Sequence, residues 1–96
     1  MMDVERLEWD EWSIRHVRKR HGIHPEVVEA VCHGGYITLA SCKNRIVVIG
    51  PEPGGRILTV VIGPVPEQPG VYYTFSARPA SRKERRLYSQ QKEGAE

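Results

Sequence analysis

The residues best suited to chemistry lie in a short basic segment near the end of the chain. Five of the fourteen Lys and Arg residues of this 96-residue sequence fall between Arg78 and Arg86. Guanidinium groups are permanently charged, and they bind phosphate oxygens through two parallel N–H donors. We therefore interpret Arg78 and Arg82 as candidates for clamping a phosphate and stabilising charge that develops on it.

A helix is predicted to begin inside this segment. Ser81 and Glu84 have the spacing of a capping box, in which each side chain binds a backbone N–H of the first turn, so the helix should start at Arg82. Arg82 and Lys83 then lie where the helix dipole is already positive, and a bound anion would relieve that repulsion. For the last two arginines of the segment, a solvated face that only keeps the protein soluble is an equal alternative.

Proton transfer would need a different kind of side chain, and the sequence offers three. Histidine titrates near neutrality, which makes His21 and His16 candidates. His21 lies on the apolar stripe of its helix with Ile14 and Val17, so a core histidine bonded to the helix end is at least as good an interpretation. Tyr72 is the third candidate, because its ring could stack on a base or its hydroxyl could stabilise charge.

These side chains are positioned by a predicted α+β domain. Asp10 caps a first helix that Gly22 ends, and Pro25 opens a second helix after a short turn. The later connections are rich in Pro and Gly and too short for crossover helices, so the strands should form an antiparallel meander. The predicted elements are a short strand at 6–9, helices at 11–21 and 25–33, strands at 36–40, 45–49, 56–62 and 71–76, and the C-terminal helix.

The last strand is predicted to line up polar groups beside that helix. Its alternation places Val71, Tyr73 and Phe75 in the core and Tyr72, Thr74 and Ser76 on the surface, with Arg78 continuing the surface set. The other aromatic side chains are predicted to be structural, with base stacking a minor alternative for the tryptophans: Trp9 and Trp12 in the helix pair, and Tyr88 between the C-terminal helix and the sheet.

Composition places the chain among small single-domain proteins. We predict one domain over residues 1–88 and a polar, flexible tail over 89–96. No apolar leader or 18-residue apolar run is present, and Cys32 and Cys42 show no paired spacing, so the sequence favours a cytoplasmic protein without membrane partners. The Cys and His spacing is not that of structural zinc, and no phosphate-cradling glycine loop occurs, so neither a metal nor a nucleotide cofactor is expected.

Several short motifs, in their order and spacing, resemble the BrnT family of toxins. They are Glu8-Trp9-Asp10-Glu11, Arg20-His21-Gly22, and Ser76-Ala77-Arg78 leading into Ser81 to Tyr88. The resemblance spans nearly the whole chain. It implies a RelE-like fold, endoribonuclease activity, and a ribbon-helix-helix antitoxin that neutralises the toxin and binds operator DNA only as the joint complex.

The implied activity defines what the candidate residues would have to do. Metal-independent RNA cleavage uses the neighbouring 2′-hydroxyl as the nucleophile, so the protein must orient the backbone, move two protons and stabilise charge. A module of the same fold that only binds RNA or a protein partner is the alternative. The candidate catalytic residues are then Arg78, Arg82, His21 and Tyr72, of which the resemblance supports His21, and the candidate RNA-binding residues are Arg85, Arg86, Lys83 and His16.

Overall fold

A mixed sheet with helices on both faces makes up the domain. The computed structural model describes residues 4–41 and 43–94, with side chains for all of these except residues 20, 21, 93 and 94. The elements in chain order are β1 (Arg6–Glu8), α1 (Glu11–His21), α2 (Pro25–Cys32), β2 (Ile37–Ala40), β3 (Ile46–Pro51), β4 (Ile57–Pro64), β5 (Val71–Pro79) and α3 (Arg82–Gly94). The predicted α+β class and the order of elements are confirmed.

The sheet combines the predicted meander with one parallel edge. Its strand order is β1-β5-β4-β3-β2, and β2 to β5 pair antiparallel with their neighbours in sequence. β1 is the exception, because Leu7 pairs in parallel with Tyr72 of β5. The first and last strands of the chain are therefore neighbours, and β4 and β5 form the middle of the sheet together with β3.

Local capping fixes both ends of α1. The backbone N–H of Ser13 donates to Asp10 Oδ1 at 2.8 Å, and the backbone N–H of Asp10 donates to Ser13 Oγ at 2.9 Å. Gly22 ends the helix with φ of 63°, a left-handed conformation that favours glycine. Pro25 begins α2 at its first position. These bounds agree with the sequence, except that α2 ends at Cys32, one residue earlier than predicted.

Each face of the sheet has its own apolar core. The face covered by α1 and α2 carries the larger core, and the face covered by α3 carries a smaller one. The larger core contains Val17, Ile23, Val28, Val31, Val48, Leu58, Val60, Ile62 and Ala77; the smaller contains Ile37, Ile49 and Ala80, with Ile57, Leu87 and Tyr88 packed against them. Tyr88 Oη also donates to the carbonyl of Gly35 at 3.0 Å, so the predicted structural role of Tyr88 is confirmed.

A β-bulge in β5 overturns the predicted alternation of that strand. The register shifts between Val61, which pairs with Ser76, and Ile62, which pairs with Thr74. Ile62 belongs to the core under α1 and α2, so Thr74 faces that core and is fully buried. The predicted surface line of Tyr72, Thr74, Ser76 and Arg78 is wrong, because a bulge inserts one unpaired residue and reverses the faces that follow it.

The C-terminal helix is longer than the basic segment suggested. It starts at Arg82 as predicted but continues to Gly94, through most of the residues assigned to a polar tail. Lys92 Nζ lies close to Gly35, in the connection between α2 and β2, so the second half of the helix remains near the rest of the domain. Flexibility of residues 89–96 stays a prediction.

Candidate active site at the junction of β5 and α3

The capping box that sequence predicted joins β5 to α3. The backbone N–H of Ser81 donates to Glu84 Oε1 at 2.8 Å, and the backbone N–H of Glu84 donates to Ser81 Oγ at 3.2 Å. The backbone N–H of Ala80 donates to the Ile57 carbonyl at 2.9 Å, which anchors the turn to β4. The direction in which α3 leaves the sheet is therefore set by hydrogen bonds on both sides of the turn.

Glu84 also holds the Arg78 side chain. Nη1 of Arg78 lies 2.7 Å from Oε1 of Glu84, and Nη2 lies 2.8 Å from Oε2, a forked ion pair. The pair lowers the pKa of Glu84 to about 2, with the Arg78 hydrogen bonds the largest cause and the Ser81 backbone N–H a smaller one. In return, the hydrogen bonds to Glu84 raise the pKa of Arg78. Both groups are charged at every physiological pH.

A buried hydroxyl lies beneath this ion pair. Thr59 of β4 pairs with Arg78 of β5, and Thr59 is only 1% exposed. Its Oγ1 has no partner at ordinary hydrogen-bonding distance, although it faces the Glu84 carboxylate closely enough to help lower that pKa. Above the pair, 45% of the Arg78 side chain is exposed, compared with 16% of Glu84. Arg78 therefore presents its charge to solvent while Glu84 lies behind it.

The exposed face of α3 adds further cations next to Arg78. Arg82, Lys83 and Arg86 are exposed, and none of them forms an ion pair within the described part of the chain. Arg85 is exposed as well, but its Nη1 donates to the Ala80 carbonyl at 3.1 Å, which covers one of the free carbonyls of the turn. The junction thus brings Arg78 together with at least three unpaired cations, a suitable surface for a phosphate backbone.

The structure does not bring Tyr72 next to this surface. Tyr72 packs against the core under α1 and α2, whereas Arg78 pairs with Thr59 on the α3 face. Arg78 also lies six positions along the strand from Tyr72, roughly 20 Å at the usual rise per residue. Tyr72 instead borders a groove formed by the loop at 64–70. Its catalytic role stays a prediction without support from its position.

The two candidate histidines lie on α1. His21 is the last residue of that helix, and its side chain lies outside the described residues. His16 is half-buried and stacks on Trp12, with ring centres 4.8 Å apart and planes 9° from parallel. Trp12 is itself 58% exposed, so the prediction that it packs inside the helix pair is wrong. Trp9 does pack on the core, and its Nε1 donates to Glu29 of α2 at 3.1 Å.

Asp10 connects α1 to β5. Tyr73 Oη donates to Asp10 Oδ2 at 2.8 Å, while the other carboxylate oxygen caps the helix. The Ser13 backbone N–H and then the Tyr73 hydroxyl lower the pKa of Asp10. Desolvation, followed by the Asp10 hydrogen bond, raises the pKa of Tyr73. This bond was missed from sequence because its partners are 63 residues apart.

Three further observations concern metal ligands, membrane-spanning helices and the buried cysteine. Within residues 4–41 and 43–94, no group of three or more Cys, His, Asp and Glu side chains is arranged to hold a metal ion. None of the helices in those ranges is long and apolar enough to cross a membrane. Cys32 is buried, and desolvation, with a smaller contribution from Glu29, raises the pKa of its thiol to about 12.

Comparison with known proteins relates this architecture to a toxin of known structure. No protein-family model matches the sequence, and no curated protein matches it either. Among solved structures, the chain is similar to the Brucella abortus ribonuclease toxin, BrnT, whose crystal structure has 1.1 Å resolution. The similarity has a TM-score of 0.66 at 23% sequence identity and covers 85% of this chain and 100% of that chain. The resemblance seen in the sequence is therefore confirmed for the fold, and this chain has a BrnT-like fold.

Proposed function

We propose that this protein is a metal-independent endoribonuclease toxin of a toxin–antitoxin pair. The observation that carries the proposal is the solvent-facing Arg78 at the β5–α3 junction, surrounded by the unpaired cations of α3. The similarity to a ribonuclease toxin supports the same reaction class, because the whole of that chain is matched. RNA would lie across the junction with its phosphates against the arginines.

The reaction that fits this site is attack of a ribose 2′-oxygen on the adjacent phosphorus. The 2′-hydroxyl loses its proton, the new P–O bond forms, and the bond to the 5′-oxygen breaks as that oxygen is protonated. The products are a 2′,3′-cyclic phosphate and a 5′-hydroxyl. Negative charge grows on the non-bridging oxygens in the transition state, and Arg78 with Arg82 would stabilise it, a contribution typically worth about 10²–10³ in rate for one lost donor.

Glu84 is better suited to orienting Arg78 than to moving protons. A general base works best when its pKa lies near the working pH, and the pKa of Glu84 is about 2. Both of its oxygens already accept hydrogen bonds from Arg78. His21 and Tyr72 are therefore the proposed proton-transfer groups, and Lys83, Arg85, Arg86 and His16 are proposed to bind RNA outside the reacting phosphate.

The partner of such a toxin would be a ribbon-helix-helix antitoxin. Its expected role is to cover the basic junction and so keep RNA away from Arg78. Contact with operator DNA would then occur only through the antitoxin in the joint complex. Because the substrate is RNA, the proposed site of action is the cytoplasm.

A cleavage assay with end-group analysis tests the proposal. The purified chain is incubated with a 5′-labelled RNA oligonucleotide in EDTA, and the products are examined for 2′,3′-cyclic phosphate. Arg78→Ala and Arg82→Ala should each lower the rate by about 10²-fold or more. Arg6→Ala is the matched control, because Arg6 is also exposed and ion-paired, to Glu8 at 3.0 Å, but lies at the opposite end of β5.

The same fold could instead bind RNA or a protein without cleaving anything. The observation in favour of this second function is the forked Glu84–Arg78 pair, because it occupies both terminal nitrogens of the arginine that catalysis requires. RNA that is bound with strong salt dependence but recovered intact would establish it. Cleavage that survives in a folded Arg78→Ala, Arg82→Ala double variant would show that the active site lies elsewhere.

A further inference from the structure

The outer side of α1 exposes an aromatic pair. Trp12 is 58% exposed, the one large hydrophobic side chain in the described part of the chain with such exposure. One face of its indole is covered by the His16 imidazole at 4.8 Å, with only 9° between the planes. Because the two residues are four apart on a helix, the stack is built into the helix itself. The indole is held in one orientation, with its surface open to solvent.

Cations lie on one side of this pair. Arg15 and Lys19 follow Trp12 by three and seven residues, which places them along its side of α1. They also line a groove of about 570 Å³ that adjoins the pair on the next side of the helix, and its described members are Glu11, Ile14, Arg15, Arg18 and Lys19. Arg15 is paired with Glu11 at 3.0 Å, whereas Arg18 and Lys19 have no ion-pair partner in the described ranges.

We propose that Trp12 and His16 form a stacking platform for an unpaired base of single-stranded RNA, with Arg15, Arg18 and Lys19 holding the flanking phosphates. Base stacking on aromatic side chains works with any base, since every base has a π face. An indole already stacked on one side loses little conformational freedom when a base covers it. This site deepens the proposed function by adding a substrate contact on α1, and it rests on that function for the identity of its ligand.

Charge and shape favour RNA over a protein partner on this surface. The groove beside the flat open ring has three cations and one acid, and the acid is already paired with one of the cations. The core of a protein interface is usually depleted of charged side chains around its aromatic residues. Here the ring is mostly exposed, and charged side chains lie beside it. The expected ligand therefore presents a stacking face next to negative charge.

The test measures binding without depending on cleavage. A fluorescein-labelled oligoribonucleotide with 2′-O-methyl groups cannot be cut by 2′-oxygen attack, so its affinity is measured by anisotropy. Trp12→Ala should weaken binding by roughly 5- to 100-fold, and Trp12→Phe should retain much of the affinity. An abasic oligonucleotide of equal charge should bind the wild type and Trp12→Ala alike. The RNA should also quench the fluorescence of the wild type but not of Trp12→Ala, in which Trp9 is the remaining tryptophan.

Each result decides between distinct explanations. Equal affinity of folded wild type and Trp12→Ala for the base-containing RNA would overturn the platform, as would quenching that persists in Trp12→Ala. Tight binding of an acidic protein partner that depends on Trp12, with no effect on RNA, would assign the surface to protein docking and overturn it too. If Trp12 contributes to binding but the wild type does not cleave RNA, the platform stands and the proposed catalysis fails. If Arg78 is required for cleavage but Trp12 does not affect binding, the proposed catalysis stands and the platform fails.

Discussion

Replacing Glu84 by Gln should destabilise the protein at neutral pH but not in acid. The substitution keeps an oxygen that can accept the Ser81 N–H and removes the charge that binds Arg78. The pKa of Glu84 falls from an ordinary 4.5 to about 2, and each unit corresponds to about 1.4 kcal/mol. The substitution can therefore lower the free energy of unfolding by at most about 3 kcal/mol. Because 45% of the Arg78 side chain is exposed, screening should reduce the effect to about 1–2 kcal/mol.

The sign of the pH dependence follows from the lowered pKa. A carboxylate whose pKa is lower in the folded state stabilises the fold above its unfolded value, here about pH 4.5, and loses that contribution as the pH falls towards 2. The wild type should therefore lose 1–2 kcal/mol more than Glu84→Gln between pH 5 and pH 2. At pH 2 the free energies of unfolding of the two proteins should nearly coincide.

Urea denaturation followed by circular dichroism at pH 7, 4 and 2 measures this difference. Glu8→Gln is the matched control, because Glu8 also pairs with one arginine but is 41% exposed, so its loss should cost less than about 1 kcal/mol. A Glu84→Gln effect that stays constant from pH 7 to pH 2 would refute the electrostatic explanation. An effect no larger than that of Glu8→Gln would show that the forked pair contributes little in solution.

Two further predictions concern buried groups. Thr74→Val should raise the free energy of unfolding by up to about 1 kcal/mol in urea denaturation, because the Thr74 hydroxyl is fully buried without a partner; a clear loss of stability would instead mean that the hydroxyl is hydrogen-bonded in solution. In a Cys42→Ser background, Cys32 should react with a thiol reagent at pH 8 only as fast as the protein unfolds, since its pKa is about 12 and the thiolate is the reactive form. Reaction at the rate of a free thiol in the native protein would contradict its burial.

Features encoded by neighbouring residues were predictable from the sequence. The start and end of α1 follow from Asp10 and Gly22, whose side chain and backbone conformation act within one helical turn. The start of α3 follows in the same way from Ser81 and Glu84. The strand positions follow from β-branched runs between turn residues. All these signals act over a few residues, so the order of elements could be derived without tertiary contacts.

Features that depend on distant partners were not predictable in the same way. The bulge in β5 arises from its pairing with β4, and the parallel pairing of Leu7 with Tyr72 joins the two ends of the sequence. Glu84 was assigned to its cap, and its second role appears only when the turn brings Arg78 within 2.7 Å. Trp12 looked like a core residue by type, yet its helical position directs it outward.

The bulge in β5 also determines where this chain can tolerate changes in length. Deleting Phe75 would only remove the unpaired residue and would keep Arg78 on the face of α3. Deleting Ala77 would instead turn Arg78 towards the apolar core under α1 and α2. That would bury an unpaired cation and separate it from Glu84. An added residue in the exposed loop at 64–70 would not change which face of the sheet each β5 side chain occupies. Relatives of this protein should therefore vary in loop length before β5, and in the presence of the bulge, but keep the residue count from the bulge to Arg78.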